Sequence, residues 1–479
     1  MSRDLRPFFA PDSVAVVGAG ERATSSGGAV LQNLKIAGFQ GAVYPVNPKG
    51  GTAFGYPVYP SLAELPAPAD LVVIAIRPDL IAQAVRDAAL TGHKNLLILP
   101  GGFQEAGDEG AARDRALREI AAEAGITIAG PNCAGIIHLT KAARFGATFL
   151  RDYPPGGGIA LISQSGALAE EVIAAANAMR LPVGTVVSVG NGMHLGVEDY
   201  LEYLGREDTC RAVLLYVESI ADPARFRSLA REVAARKPVV MLLGGRSAEG
   251  AAAAAAHTGA VANGEAAIAA FTRECCTLRV TSLRRLMIAA KGFGAYPQGI
   301  GRRVLVLSNS GGPGVLTTDQ AAAEGLDLPA LPAAFARRLK ASLPAEAAIA
   351  NPIDLLADAR EDRFGLMLEG AMTEGADQFD AVLGIHVVPF MVDAGPVIDR
   401  LATLAAGGLA RPFLHAMMGT LTDKAAWFSK MEQAGVPMFN DAEAMAECAG
   451  LLAQYPPLKA RAMAPPPEGP PALRGRGGA

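Results

Sequence analysis

The stretch GIALISQSGAL, residues 158–168, decides the fold. Its first half is an unbroken aliphatic run, the pattern of a strand covered on both faces rather than of a sheet with one wet side. The run stops at Ser-Gln-Ser-Gly, and an alanine-rich helical spacing begins directly after it. A strand is therefore predicted to hand over to a helix N-terminus at residues 163–166. The segment VLSNSGGPGVL (306–316) repeats the arrangement: strand, Ser-x-Ser-Gly, helix start. Outward from these two, SVAVVGAG, LVVIAIRP, NLLILPGG, AVLLYVES, PVVMLLGG, AVLGIHVVP and PFLHAMMG alternate with helical patterns along the chain. Such alternation implies an α/β fold with parallel sheets and right-handed crossovers, in which ligands lie beyond the carboxyl ends of the strands. The glycines and polar residues fall at those ends.

The 479 residues suggest about three domains. The boundaries are expected at 1–148, 149–297 and 298–460, with RDYPPGGG and AYPQGIGRR as linkers and a disordered Pro/Gly-rich tail at 461–479. A hydrophobic share of 51% is enough for sizeable cores, and a net charge of -4 gives no nucleic-acid footprint. No apolar leader or membrane-length run is found, and the 5 cysteines form no CxxC pair. Reduced thiols and a cytoplasmic location are the expectation.

Four features could carry chemistry. The first is VVGAGERATSSGGAVLQNL, where Gly18, Gly20 and Ala23 fit a relaxed G-x-G-x-x-G/A turn that lets a pyrophosphate approach the backbone. The next strand ends in YPVNPKGG, which offers Asn47 and Lys49 in place of the ribose-binding acid of an NAD site. Lys49 suits a ribose phosphate, either the 2′ group of NADP or the 3′ group of coenzyme A, or is a surface lysine. The second is the pair of Ser-x-Ser-Gly turns. Ser163, Ser165 and Gly166, and again Gly311 and Gly312, present hydroxyls and amides at helix N-termini that favour phosphate. Neither turn is the G-x-S-x-G of a serine hydrolase. The third is Glu218 in LLYVESI, either a carboxylate aimed at a ligand or an ordinary strand-end acid. The fourth is AEGAAAAAAHTGAVANGEAA (248–267), in which His257 is either a reactive imidazole or a helix-end cap. The remaining histidines, His93, His138, His194, His386 and His415, show no metal-ligand spacing and are expected to be structural, so no metal site is predicted.

Taken in order, SVAVVGA, VYPVNPKGG, GPNCAGI, LISQSGAL, SVGN, LYVESI, HTGA, SNSGGPGVL and NPIDL resemble the nucleoside-diphosphate-forming acyl-CoA synthetases, relatives of succinyl-CoA synthetase. The likeness is greatest to the α subunit of ADP-forming acetate–CoA ligases. The resemblance implies a Rossmann-like CoA-binding domain followed by two flavodoxin-like, doubly wound domains of the succinyl-CoA synthetase type. It implies that phosphate attacks an acyl-CoA, that the acyl phosphate passes its phosphoryl group to a histidine, and that the histidine delivers it to ADP. By position, His257 is the phosphorylated residue, Glu218 orients it, and Ser163, Ser165, Gly166, Gly311 and Gly312 bind phosphate. Gly18, Lys49, Pro100, Asn132 and Cys133 fall on motifs lining the CoA site, and Asn191 and His194 on the acyl pocket. At His194 and Gly196 the family more often has aspartates, which argues against assuming acetate as the acid. ATP or ADP with Mg2+ is expected on a separate ATP-grasp β subunit, in an α2β2 assembly. The residues alone also leave open an NADP-dependent oxidoreductase and a non-catalytic CoA-binding regulator.

Overall fold

The computed structural model describes residues 3–22, 24–140, 143–247, 249–250, 252, 265–388, 393–419 and 422–465. The chain forms two compact units, Met1–Ala290 with Arg461–Ala479, and Lys291–Ala460.

Among its described residues the first unit holds two large sheets and a two-stranded antiparallel ribbon, Thr52–Ala53 with Tyr56–Pro57. In the first, β1 (Ser13–Val17), β2 (Ala42–Val46), β3 (Leu71–Ile74), β4 (Asn95–Ile98) and β5 (Thr127–Ala129) run in the order β2-β1-β3-β4-β5. All are parallel. Tyr59 bridges in parallel to Val46 beyond β2, which completes a Rossmann-like order. Every residue of β3 is buried, as a strand between two helix layers requires. Leu71 and Val73 enter one core while Val72 and Ile74 enter another, the two faces of the pleat.

The second sheet contains β6 (Gly135–Leu139), β7 (Arg144–Thr148), β8 (Ile159–Ser163), β9 (Val183–Ser188), β10 (Ala212–Val217), β11 (Val239–Leu243) and β12 (Leu278–Val280). Their order is β12-β11-β10-β8-β9-β6-β7. The parallel part, β8 to β12, has the flavodoxin-like order with β8 at the switch point. The GIALISQSG strand is β8, so its Ser-x-Ser-Gly turn sits where the fold places ligands.

Strands β6 and β7 lie inside the predicted block 1–148 but pair with the second sheet, antiparallel to β9 and to each other. Two parallel strands need a crossover of roughly a dozen residues. Here only residues 140–143 separate the two strands, and the Thr140 N–H donates to the Ala143 carbonyl at 2.9 Å, which permits only a hairpin. One core, from Phe8 and Phe9 through Leu97, Ile162 and Tyr200 to Phe271, runs across both sheets. The predicted tail is helical at its start, because the last helix spans Ala442–Met463. The buried Arg231 guanidinium donates to the Arg461 carbonyl at 3.0 Å and the Ala464 carbonyl at 2.8 Å. Residues 466–479 lie outside the described residues.

The second unit is a single parallel sheet of β13 (Val304–Ser308), β14 (Ile353–Asp354), β15 (Ala381–Val388), β16 (Phe413–Gly419) and β17 (Met438–Phe439). Its order, β14-β13-β15-β16-β17, matches the parallel part of the second sheet. The internal echo in the sequence thus corresponds to two copies of one strand order. Its core holds two fully buried imidazoles, His386 and His415, with ring centroids 6.3 Å apart. Among the described residues neither ring nitrogen of either has a hydrogen-bond partner.

All 5 cysteines are buried free thiols. Among the described residues no helix is long and apolar enough to cross a membrane, and no cluster of three or more metal-ligating side chains occurs.

Candidate functional site

In the first unit the carboxyl ends of both sheets meet around the loops that follow β1, β4, β5, β8, β9 and β10. Gly18 ends β1 with φ of 89° and donates its N–H to the Val46 carbonyl at 3.0 Å. A Cβ there would lie 2.5 Å from the Ala75 carbonyl oxygen, so only glycine fits. The helix Ser26–Ala37 follows, capped by Ser25, whose hydroxyl accepts from Gly28 N–H at 3.2 Å. Asn47 ties this turn to the next strand end. Its amide donates to the Ala19 carbonyl at 2.7 Å and its oxygen accepts from Lys49 N–H at 3.1 Å. The Lys49 side chain is left exposed. Replacing Gly18 with valine combines a left-handed backbone penalty of about 1–3 kcal/mol with that overlap. Thermal unfolding is expected to show at least that loss.

Asn132 takes a positive φ of 57° after the Gly130-Pro131 pair and donates its N–H to the Pro100 carbonyl at 2.9 Å. Cys133 is buried, and its thiol donates to the Ile98 carbonyl at 3.4 Å. Burial pushes that thiol up to about 12, so it is a packing group and not a thiolate nucleophile at neutral pH. The structure thus brings Pro100, Asn132 and Cys133 into one corner. It adds Glu105, which the sequence reasoning missed. The Asn132 amide donates to Asn191 Oδ1 at 3.2 Å, and Asn191 donates to Glu105 Oε2 at 2.6 Å. Burial alone would raise the Glu105 carboxyl. Hydrogen bonds from Asn191 and from the Gly102 and Phe103 N–H groups outweigh it and hold the group below its ordinary value. The signal for it was the acid that follows two glycines in PGGFQE.

His194 does not join Asn191. Its Nδ1 accepts from the Ile128 N–H at 3.3 Å, so the ring seals the free edge of β5. The proton must then sit on Nε2. Burial, with Arg118 and Arg3 nearby, lowers its pKa and keeps it neutral.

The Ser-Gln-Ser-Gly turn uses its two hydroxyls differently. Ser163 is fully buried; it donates to the Ser165 carbonyl at 2.7 Å and accepts from Ser165 N–H at 3.1 Å. It shapes the turn rather than facing outward. Ser165 caps the helix Gly166–Met179, accepting from Leu168 N–H at 3.3 Å, and keeps its own proton to donate. The first helical N–H groups have no acceptor within their own helix. A Cβ on Gly166 would lie 3.4 Å from Ala134 Cβ and 3.7 Å from Ser188 Oγ, so the GPNCAG corner abuts this helix start.

Glu218 stands just past β10, half-buried, and accepts from the Tyr216 hydroxyl at 3.1 Å. Burial and the nearby Glu218 push the Tyr216 hydroxyl up to about 12. Gln164 links Glu218 to the serine turn: its oxygen accepts from Glu218 N–H at 2.6 Å and Ser219 N–H at 3.0 Å, and its amide donates to the Ser219 carbonyl at 2.8 Å. The chain leaves β11 through Gly244, where a Cβ would lie 3.2 Å from the Tyr216 hydroxyl and 3.4 Å from Glu218 Cγ. His257 itself lies outside the described residues.

The second unit repeats the turn. Ser308 donates to the Ser310 carbonyl at 2.7 Å and accepts from Ser310 N–H at 3.0 Å. Asn309 takes the place of Gln164, exchanging two 2.8 Å hydrogen bonds with the backbone of Val387. Ser163 pairs with Tyr216 and Ser308 with Ile385, so Val387 occupies the register position of Glu218. Gly311 and Gly312 open the helix Gly311–Ala323 and are exposed, with nothing within 4 Å of a Cβ placed on Gly312.

Residues 12–139 match the family model described as "CoA binding domain", and residues 156–293 match "Succinyl-CoA ligase like flavodoxin domain". The chain is 33% identical over 461 residues to acetate–CoA ligase [ADP-forming] I of Archaeoglobus fulgidus, covering 95% of this chain and 64% of that protein. It is 33% identical over 454 residues to acetate–CoA ligase [ADP-forming] II subunit alpha of Pyrococcus furiosus, covering 93% of this chain and 97% of that subunit. Among solved structures it resembles the dinucleotide forming acetyl-coenzyme A synthetase 1 of Ca. Korarchaeum cryptofilum in complex with phosphate and ADP. That match has a TM-score of 0.89 at 28% identity and covers 96% of this chain and 98% of the other.

Proposed function

We propose, from the premise that the chain belongs to the ADP-forming acetate–CoA ligase family in its α-subunit form, that it interconverts a carboxylic acid and its acyl-CoA through an acyl phosphate and a phosphohistidine at His257. In the acyl-CoA-consuming direction, phosphate displaces CoA to give an acyl phosphate. An imidazole nitrogen of His257 then attacks phosphorus. The bond from phosphorus to the acyl oxygen breaks, and the carboxylate leaves with the electron pair. The imidazolium formed keeps the proton on its other nitrogen, which Glu218 accepts as a hydrogen bond. Phosphoryl transfer to ADP regenerates the imidazole.

One observation carries this reading. Ser165 and Gly166 at a helix start, and Glu218 at a strand end, are held in one corner by Gln164, and the chain toward His257 leaves past that corner through Gly244. A phosphate at the helix start gains the dipole and the unpaired N–H groups, about 0.3–1 kcal/mol from the dipole alone. Ser165 supplies a hydroxyl donor. Ser163 acts by shaping the turn, and Gly311 and Gly312 offer a second helix start of the same design. The Gly18 turn, Lys49, Pro100, Asn132 and Cys133 are assigned to CoA. The match of residues 12–139 to a CoA-binding model favours that ligand over NADP.

The chain spans 64% of the Archaeoglobus ligase but 97% of the Pyrococcus α subunit. By its likeness to the latter, ATP or ADP with Mg2+ is assigned to a separate ATP-grasp β subunit, in an α2β2 assembly in the cytoplasm. The test is to incubate the full chain with [32P]phosphate and a set of acyl-CoAs: acetyl, branched-chain and aryl. An acid-labile, base-stable label on the protein is expected with at least one of them. No such label with any acyl-CoA, nor with the β subunit and labelled ATP, would sink the reading.

A further inference from the structure

We propose that Gln164 is a positioning residue that couples the phosphate-binding turn to the carboxylate that orients the phosphorylated histidine. The proposal rests on the reading of His257, Glu218 and Ser165 given above. Gln164 lies between the two serines of the turn, and its own N–H donates to the Tyr216 carbonyl at 3.1 Å. Its side chain then reaches past the end of β10 to grip Glu218 N–H, Ser219 N–H and the Ser219 carbonyl. The backbone on both sides of the Glu218 Cα is thereby fixed to the turn that would hold the phosphoryl group. The Tyr216 hydroxyl holds the carboxylate from a further direction. A carboxylate anchored this way keeps one geometry while the imidazole gains its positive charge.

The second unit supplies the comparison. Asn309, one methylene shorter, closes its hydrogen bonds on Val387 alone and does not reach the following residue. It joins two strand ends, and no acid stands at that position to be oriented. An amide at this point is therefore sufficient for the architecture. Both amides hold the N–H at this register position; the additional reach of Gln164 is spent on Ser219, which fixes the backbone on the far side of the acid as well.

The experiment uses Gln164→Asn, which imposes the form of grip that the second unit already tolerates. Gln164→Met is the companion, keeping length and volume while removing the side-chain hydrogen bonds. Wild type and variants, full-length, are each given the same set of acyl-CoAs with [32P]phosphate. Two steps are read in the same tube: release of CoA thiol in the first turnover, and phosphohistidine. Release of CoA uses the Ser165 turn and is expected to stay within about threefold of wild type. Phosphohistidine formation needs an aimed Glu218, and a misplacement of about 1 Å is expected to slow it on the order of 10- to 100-fold. Labelling within about twofold of wild type in both variants would overturn the proposal, as would a parallel fall of both steps in both variants. If the wild type releases CoA but is never labelled, the His257 reading fails and the proposal with it. Labelled wild type with equally labelled variants fails the role of Gln164 alone.

Discussion

Replacing His257 with alanine is expected to remove the acid-labile phosphoenzyme entirely and to slow acyl-CoA synthesis by the assembled complex at least about 10^3-fold. The reason is chemical. In residues 248–267 the flanking positions are mostly alanine and glycine; phosphate on Glu249 or Glu265 would be base-labile and on Thr258 acid-stable, so only His257 gives an acid-labile, base-stable label. Imidazole is a good nucleophile for phosphorus, because its ordinary pKa near 6.5 leaves it largely unprotonated at neutral pH. On the proposed assignment CoA is held by the Gly18 turn and the GPNC corner, so CoA affinity measured by calorimetry is expected to be unchanged. A variant that still incorporates phosphate into an acid-labile, base-stable form would place the nucleophile elsewhere.

The second large effect concerns acid and the Lys291–Ala460 unit. Burial lowers His386 from 6.5 to about 4 and, with the neighbouring His386 also disfavouring charge, His415 to about 3. In the unfolded chain both return to about 6.5. The folded values are depressed, so this stability is fully present above 6.5 and is lost as pH falls from there toward the folded values. Between pH 7 and 5 the unfolded state takes up a proton at each site while the folded state takes up almost none. The expected loss is about 2 kcal/mol per histidine, or about 4 kcal/mol together. Trp427, the chain's 1 tryptophan, packs on the core of this unit. Its fluorescence therefore reports this unit in a urea titration at the two pH values. A difference below about 1 kcal/mol, or one that survives replacement of both histidines with leucine, would refute the assignment.

Much of this was legible in the sequence, for identifiable reasons. Continuous aliphatic runs ending in Gly, Ser or Pro marked the central strands of each of the three large sheets. The SQSG and SNSG echo foretold two copies of one strand order, because a helix start after the first strand must fall at the switch point. Pairing direction is not written in such runs. GIIHL is buried at every position, and that pattern is the same in a parallel or an antiparallel sheet. The short link to Arg144 was the only clue to the hairpin. Individual side chains were harder. Ser163 and Ser165 look equivalent in sequence, yet one closes its own turn and the other caps a helix. His194 looked like a pocket group, but its partner is a backbone N–H on a strand 66 residues away. Gln164 drew no attention between two serines. The sign was that the echo also places an amide, Asn309, at that position.

The hairpin Gly135–Thr148 has a consequence for how the gene could be divided. It is encoded directly after the last strand of the CoA-type sheet and yet completes the sheet that follows. A break at residue 148 would leave both strands on a fragment with no sheet to receive them. It would also strip the cover from Thr185–Val187, giving an open edge of the kind that recruits foreign strands. A fission that kept each sheet whole would have to fall between Ala129 and Gly135, and it would still divide the core that runs across both sheets.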